Sequence, residues 1–163
     1  MASIALIIFE VGDARFALDR DAISRVAPVP RLTKPPAAPE AFAGFMRVGD
    51  ELVAVLRAHV VLGIDGPSQP KLYDHLLMLR DVSPSTALAV DRVTDVIDAD
   101  HLELMPVAAG GSHRECVVAE IRGLGRPILS LDLNRLLSDF ERDRIRHFHS
   151  EEMRRRSAFG DSA

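Results

Sequence analysis

The residues best suited to catalysis lie in one predicted loop, where His113 and Glu115 precede the single cysteine, Cys116. A histidine and a carboxylate beside a thiol are groups that nucleophilic catalysis uses, because a base deprotonates the thiol and a third group orients the base. The two glycines at residues 110–111 would permit a tight loop, but ordinary loop chemistry explains them equally well. Two valines follow Cys116, so we interpret it as a small buried hydrophobic residue.

The histidines do not form a recognisable metal site. His147 and His149 are two residues apart on a predicted helix, so they point to different faces and cannot readily share a metal ion. His147 and Glu151 have the i, i+4 spacing of neighbours on one helix face. Such pairs are common on solvated faces, so we predict no metal site.

Two pairs of aspartates, Asp91 with Asp95 and Asp98 with Asp100, have the composition of a general acid–base pair. Their strand and turn context favours solvated charges at a sheet edge. The chain has no phosphate-binding or nucleophile-elbow motif, and no set of polar residues converges on a predicted pocket. The sequence therefore predicts neither an enzyme nor a bound cofactor.

The composition is that of a globular domain: 163 residues, 47% hydrophobic and 27% charged, with a net charge of -4. This charge gives no overall attraction to nucleic acid. With 5% aromatic residues and no tryptophan, a barrel that binds a small ligand or single-stranded nucleic acid is the weaker alternative. Residues 4–9 lack the features of a signal peptide, and no apolar stretch approaches the ~20 residues needed to cross a bilayer. We expect a cytoplasmic protein that does not insert into a membrane.

Short apolar segments bounded by turn residues predict a mainly β fold. The predicted strands are residues 4–9, 15–18, 23–26, 45–48, 52–56, 75–79, 86–90, 93–97, 116–121 and 127–131. Five prolines in residues 28–39 exclude helix and central strand there. A short helix at 59–62 should end at Gly63, and Pro106 lies in a second long loop.

The chain repeats itself. Residues 16–26 resemble residues 88–96, with an Asp-Arg dipeptide at the matching points 19–20 and 91–92, and residues 48–55 resemble residues 124–131. The recurring dipeptide indicates a structural junction in each half. Closure of short antiparallel strands removes unpaired edges, so we predict two pseudo-repeated small β-barrel subdomains with short helices and a C-terminal α-helix.

The final helix should begin with Asp132 as its N-cap and carry an apolar stripe that ends near Phe140. Beyond it the stripe thins, and Glu151 with Arg155 and Glu152 with Arg156 have the spacing of exposed ion pairs. We expect this end to project from the body. On that expectation, deletion of residues 142–163 changes partner binding without unfolding the domain.

The order of these segments resembles the CheW-like domain family over residues 4–137. The most specific pieces are residues 9–18, 90–97 and 123–132. The resemblance implies a CheW-like domain at 1–140, with intertwined barrels at about 15–75 and 76–130 plus the N-terminal strand. Residues 141–163 would form a charged helical extension.

The resemblance also implies a non-catalytic adaptor that couples chemoreceptor cytoplasmic tips to a CheA-type histidine kinase, with no cofactor, at membrane-associated receptor arrays. The receptor would meet a groove between the subdomains, and the regulatory domain of the kinase would meet the barrel ends. The implied receptor contacts are Ile23, Arg25, Arg47 and Val48, and the implied kinase contacts include Gly123 and Leu124. Because isolated aliphatic residues on strands usually face inward, core packing is the alternative role of Ile23, Val48 and Leu124.

The first half departs from the family pattern. Where the family usually has a stretch like Asn-Leu-Arg-Gly, this chain has residues 45–49. The family's arginine therefore corresponds either to Arg47, one position earlier, or to Val48, in which case the arginine is absent. Where the family usually has Pro, Asp and Arg, this chain has Ala54, Arg57 and His59. These departures predict a variant adaptor, or a divergent scaffold that binds another chemosensory or regulatory protein without receptor coupling.

Overall fold

The computed structural model describes residues 4–34, 38–66, 71, 74–107, 116–137 and 139–158, without the side chains of 101, 139–141 and 143. This part of the chain is mainly strand, as predicted. The strands are β1 (Ala5–Val11), β2 (Ala14–Asp19), β3 (Ile23–Pro28), β4 (Phe42–Val48), β5 (Glu51–Arg57), β6 (His75–Leu79), β7 (Thr86–Val90), β8 (Arg92–Asp98), β9 (Glu103–Pro106), β10 (Val117–Arg122) and β11 (Ile128–Leu131). The helices are α1 (Ala58–Leu62), α2 (Leu133–Leu136) and α3 (Asp139–Ala158), with 3-10 turns at Arg20–Ala22 and Ala99–His101.

The strands form two sheets that exchange hairpins between the repeated halves. Sheet A has the order β8-β1-β2-β11-β10-β9, and sheet B has the order β3-β6-β7-β5-β4. If β1 to β5 are matched with β6, β7, β8, β10 and β11, the two orders become the same apart from β9. Each sheet therefore joins the first hairpin of one half to the later strands of the other half.

This exchange places the strands differently from the expected subdomain ranges of 15–75 and 76–130. Strand β2 lies in sheet A, where it pairs in parallel with β11, and β7 lies in sheet B, where it pairs in parallel with β5. The difference arises because these parallel pairs join strands that are far apart in the sequence. The predicted repeat is present at the level of whole strands.

Two equivalent β-bulges support the repeat. The pairing of β3 with β6 shifts between Ile23 and Arg25, and the pairing of β1 with β8 shifts between Ile8 and Phe9. These shifts leave Ser24 and Thr94 as the extra residues, and they stand at matching positions of the two halves. The Ser24 hydroxyl donates to the Met78 carbonyl at 3.2 Å, and the Thr94 hydroxyl donates to the Ile8 carbonyl at 3.3 Å.

The buried residues form three clusters. One cluster lies on a face of sheet A and includes Ile8, Ile121 and Ile128. A second lies on a face of sheet B and includes Val53, Leu76 and other aliphatic residues. The remaining large cluster contains four fully buried phenylalanines, Phe9, Phe16, Phe42 and Phe45. Each such side chain contributes about 1.5–3 kcal/mol through burial. Among the pairings of the described strands, none joins β8 to β9 or β3 to β4, so the two-part β architecture is confirmed without barrel closure.

Strand β9 was not predicted; its residues were assigned to a loop. All four of its residues are exposed, so it lacks the apolar alternation that marks a half-buried strand. It pairs with β10 at the edge of sheet A. On the matching side of β4 in sheet B, Thr33 forms a single bridge with Phe45.

The helix ends agree with the predicted signals. Helix α1 ends at Gly63, whose φ of 71° is left-handed and favours glycine. Asp132 is the N-cap of α2, and its side chain accepts from the backbone N–H groups of Asn134 and Arg135. The single helix predicted from Asp132 is divided into α2 and α3.

The prediction that the C-terminal helix projects is wrong. Ile145 is buried in the main core, and the ring of Phe148 lies 5.3 Å from that of Phe42. His149 Nε2 donates to the Leu52 carbonyl at 2.8 Å, which ties α3 to the start of β5. Helix α3 therefore packs on sheet B.

The predicted ion pairs of α3 are partly present. Glu152 pairs with Arg156 at 3.0 Å, as its spacing predicted, but Glu152 is buried and the pair is not an exposed one. Arg155 also bonds Glu152, at 2.8 Å, in place of Glu151. The Phe140 side chain, expected in the apolar stripe, lies outside the described residues.

Candidate interaction surfaces

The turn between β10 and β11 carries Gly123 and Leu124, and arginines fasten it to the turn between β1 and β2. Arg15 Nη1 donates to the Leu124 carbonyl at 2.8 Å and to the Arg126 carbonyl at 3.2 Å. In return, Arg126 Nη1 donates to the Asp13 carbonyl at 3.0 Å. We call residues 123–126 the tip.

The parallel pairing of β2 with β11 brings these two turns together. Arg15 stands opposite Ile128, so the chain enters β2 and β11 at the same end of sheet A. Gly123 and Gly125 have φ values of 96° and 81°, which only glycine adopts at little cost. The tip is therefore a tight turn whose backbone is held from outside.

Leu124 is exposed at the tip, with 36% of its surface accessible. Its neighbours, from Arg122 to Pro127, are exposed as well. Core packing, the alternative for Leu124, does not apply. A held apolar side chain beside arginines is suited to contact another protein, because little conformational entropy is lost on binding.

The residues expected to meet a receptor lie on sheet B. Ile23 is only 4% exposed and belongs to the main core, so its side chain does not present an anchor. Arg25 is exposed on edge strand β3. Arg47 is exposed and Val48 half-buried at the end of β4, which is the other edge of the sheet. The strand order thus separates the two groups by β6, β7 and β5.

A partly buried junction connects the two halves. His59 Nε2 lies 2.7 Å from Asp91 Oδ1, and the Gly12 backbone N–H donates to Asp91 Oδ2 at 2.7 Å. His59 Nδ1 lies 3.1 Å from the Asp65 carbonyl oxygen. The Asp-Arg repeat indicated a structural role for Asp91, and the structure agrees. No sequence signal identified His59 as its partner.

The matching Asp19 has a different structural role. Its side chain accepts from the Asp21 backbone N–H at 2.9 Å and so caps the first 3-10 turn. Asp98 caps the second 3-10 turn in the same way, through the backbone N–H of Asp100. Asp19 and Asp98 therefore stabilise turns, and Asp98 contacts Asp100, its partner in the candidate acid–base pair, through the backbone N–H.

Asp74 lies close to the junction and is buried. Burial raises the pKa of its carboxyl above the ordinary value, and the negative charge of Asp91 acts in the same direction. The backbone N–H of Lys71, 2.6 Å from Asp74 Oδ2, and the nearby Lys71 and His59 side chains oppose this shift.

Of the possible catalytic and metal-binding groups, the structure describes Cys116 and the pair His147 and Glu151. Cys116 is buried, whereas His113 and Glu115 lie outside the described residues. His147 Nε2 lies 3.3 Å from Glu151 Oε1 in an exposed pair. Within the described ranges, no three histidine, cysteine or acidic side chains are grouped to hold a metal ion. None of the helices described there is both long and apolar enough to span a bilayer.

Comparisons with known proteins agree on the kind of domain. A family model described as the CheW-like domain matches residues 5–141. Among solved structures, the scaffolding protein TtCheW from Thermoanaerobacter tengcongensis has the same fold, with a TM-score of 0.74 and 18% identity over 86% of this chain and 92% of that one. No curated protein matches the chain significantly. Since the family model covers most of the sequence, the chain belongs to the CheW-like domain family, a family of non-catalytic scaffolds in chemotaxis signalling.

Proposed function

We propose that this protein couples chemoreceptor cytoplasmic tips to the regulatory domain of a CheA-type histidine kinase, without catalysing a reaction itself. Membership of the CheW-like family supports an adaptor in chemotaxis signalling. The two named partners, and a location in the cytoplasm at receptor arrays, are part of the proposal.

The observation that carries the proposal is the arginine-held tip. Leu124 stands exposed on a turn whose carbonyl groups are bonded by Arg15, while Arg126 bonds the neighbouring turn. Affinity in protein interfaces comes largely from a few well-placed anchors with polar residues around them. Leu124 with its arginines has this composition, so we assign the kinase contact to the tip.

The receptor contact is assigned to the edge strands of sheet B, β3 and β4. Arg25 and the neighbouring Val26 are both exposed on edge strand β3. Arg47 and Val48 would contribute from the end of β4. Ile23 would act indirectly, because its burial fixes the start of β3 next to the bulge at Ser24.

A second candidate function is a divergent scaffold that binds the kinase, or another chemosensory protein, without a receptor. Three positions that differ from the family pattern favour it, because Ala54, Arg57 and His59 are all buried. Arg57 Nη1 lies 3.4 Å from the Glu40 carbonyl oxygen, and His59 bonds Asp91. These side chains are used within the domain.

A bridging assay separates the two candidates. A receptor cytoplasmic fragment from the same organism is immobilised, and capture of the kinase regulatory domain is measured with and without this protein. Coupling predicts that the regulatory domain is retained only when the protein is present. If this protein binds neither the receptor fragment nor the regulatory domain, the proposal is contradicted. If it binds the regulatory domain in solution but is not captured by the receptor fragment, the second candidate is favoured.

A matched pair of variants connects this assay to the surfaces. Arg25→Glu on β3 should reduce receptor capture and leave direct binding of the regulatory domain unchanged. Leu124→Asn at the tip should reduce direct binding of the regulatory domain and leave receptor capture of this protein unchanged. Equal loss of both interactions in both variants would contradict the assignment of separate contacts.

A further inference from the structure

Sheet A has a hollow at the end opposite the tip. The tip lies where β10 passes into β11, whereas the hollow is lined by the other ends of these strands, together with β1, β2, β9 and α2. Its volume is about 480 Å³, which is within the range of pockets that hold a ligand. It therefore forms a surface separate from both proposed contacts.

The walls of the hollow are apolar and continue onto the outside of the protein. Leu6, Leu18 and Leu131 line it as buried residues. At its margins, Ile4 is 55% exposed and Leu104 on β9 is 48% exposed. Exposed apolar residues around a concave surface are typical of interaction sites. A small ligand inside the hollow would leave these margins uncovered, so a larger occupant such as a peptide segment fits better.

The mouth of the hollow has a fixed negative charge. Its described lining contains two carboxylates, Asp19 and Asp132, and no lysine or arginine. Each carboxylate is held as a cap: Asp19 accepts from the Asp21 N–H, and Asp132 accepts from the Asn134 N–H at 2.8 Å. A cationic group placed there would meet charges that are already oriented.

We propose that this hollow docks a peptide segment of a protein partner in which a large apolar side chain stands beside a lysine or arginine. The apolar side chain enters against Leu6 and Ala119, and the cation lies against Asp19 and Asp132. An acidic segment would bring like charges together at the mouth, which is unfavourable. The site is independent of the proposed kinase and receptor contacts.

The test uses a fluorescein-labelled peptide with leucine and lysine at helical spacing, and the same peptide with glutamate in place of lysine. Anisotropy measures affinity, and NMR shift changes locate the peptide. We expect saturable binding of the lysine peptide, with shifts at Ile4 and Leu104, and weaker binding in high salt. Equal binding of both peptides would overturn the proposal, as would shifts confined to other surfaces.

Two charge variants keep the fold while changing the mouth. Asp19→Asn and Asp132→Asn retain a capping side chain, and each should lower the affinity for the lysine peptide about two- to fivefold. Asp98→Asn is the matched control, because Asp98 caps a 3-10 turn but does not line the hollow. Equal effects of all three variants would overturn the assignment.

A filling variant tests the hollow itself. Ala119→Phe places a ring in the lining and should abolish peptide binding while binding at the tip is kept. If this variant does not fold, the asparagine variants still decide the outcome. If the detergent cation dodecyltrimethylammonium binds with the same Asp19 and Asp132 dependence and the peptide does not bind, the site takes small amphiphiles and the peptide proposal is wrong.

Discussion

His59 Nε2 lies 2.7 Å from Asp91 Oδ1, and this partly buried hydrogen bond joins helix α1 of the first half to the start of β8 in the second. Asp91 also accepts from the Gly12 N–H in the β1–β2 turn. Three segments from different parts of the sequence therefore meet at one carboxylate. The exchanged hairpins are held together at this point by directional bonds as well as by apolar packing.

A double-mutant cycle measures this bond. Asp91→Ala should lower the free energy of unfolding by about 1–3 kcal/mol, because it leaves the buried His59 ring without this partner. His59→Ala should cost less, about 0.5–1.5 kcal/mol, because the Asp91 side chain is 34% exposed and keeps the Gly12 N–H. The coupling energy should be about 0.5–3 kcal/mol, as expected for residues in contact. Urea denaturation of the four proteins gives these values.

The exposed pair His147 and Glu151 provides the control, since its atoms are separated by a similar distance, 3.3 Å. Its coupling energy should not exceed about 0.5 kcal/mol, because water screens an exposed i, i+4 pair. Equal coupling in the two cycles would contradict a special role for the junction.

Gly66 is required next to His59. A Cβ atom at residue 66 would overlap the His59 ring, so the ring would have to move. Gly66→Ala should therefore destabilise the protein by about 1–3 kcal/mol, the usual cost of overpacking. The same substitution in the His59→Ala background should cost much less. A cost that is unchanged in that background would exclude the ring as the cause.

Asp74 should make stability depend on pH. Its pKa in the folded protein lies above the ordinary carboxyl value, so the folded state holds the proton more tightly than the unfolded state does. This group's contribution to stability is therefore present at low pH and decreases as pH rises from the ordinary carboxyl pKa through the raised one. Asp74→Asn should flatten this part of the stability profile and stabilise the protein at neutral pH. A profile identical to that of the wild type would contradict the shift.

The docking of α3 can be tested with two positions on one helix. Phe148 packs on Phe42, whereas Met153 is 49% exposed. Phe148→Ala should lower the free energy of unfolding by about 1.5–3 kcal/mol, less than for a fully buried ring, and should speed proteolysis of α3. Met153→Ala should change little. Similar small effects of both substitutions would contradict the docking and support a helix that projects from the domain.

Local signals were sufficient for most strands, turns and caps. Gly63 and Asp132 were predicted as helix boundaries because capping depends on residues within one turn. Thr86 to Val90 was recognised as a strand from its own composition, but its parallel partner β5 was not, because that pairing is set by packing across the whole chain. The repeat was visible in sequence, but the exchange of hairpins was not.

The site was predictable only in part. Leu124 was identified through family resemblance, but the bond to it comes from Arg15, 109 residues away. Ile23 had two possible roles, a receptor contact implied by the resemblance or core packing, because an isolated aliphatic residue on a strand does not reveal which face it occupies. It lies in the core. The docking of α3 was missed since its apolar contacts, Ile145 and Phe148, are few among charged residues.

The most direct test of the adaptor account is calorimetric titration of this protein with the CheA-type regulatory domain from the same organism, comparing Leu124→Asn with Leu104→Asn. Both leucines are exposed on sheet A, Leu124 at the tip and Leu104 on edge strand β9 outside the tip. The account predicts saturable binding that Leu124→Asn weakens by about tenfold or more, as for an interface anchor, and that Leu104→Asn leaves unchanged. Absence of binding at high micromolar concentration, or equal affinities of the two variants, would contradict it.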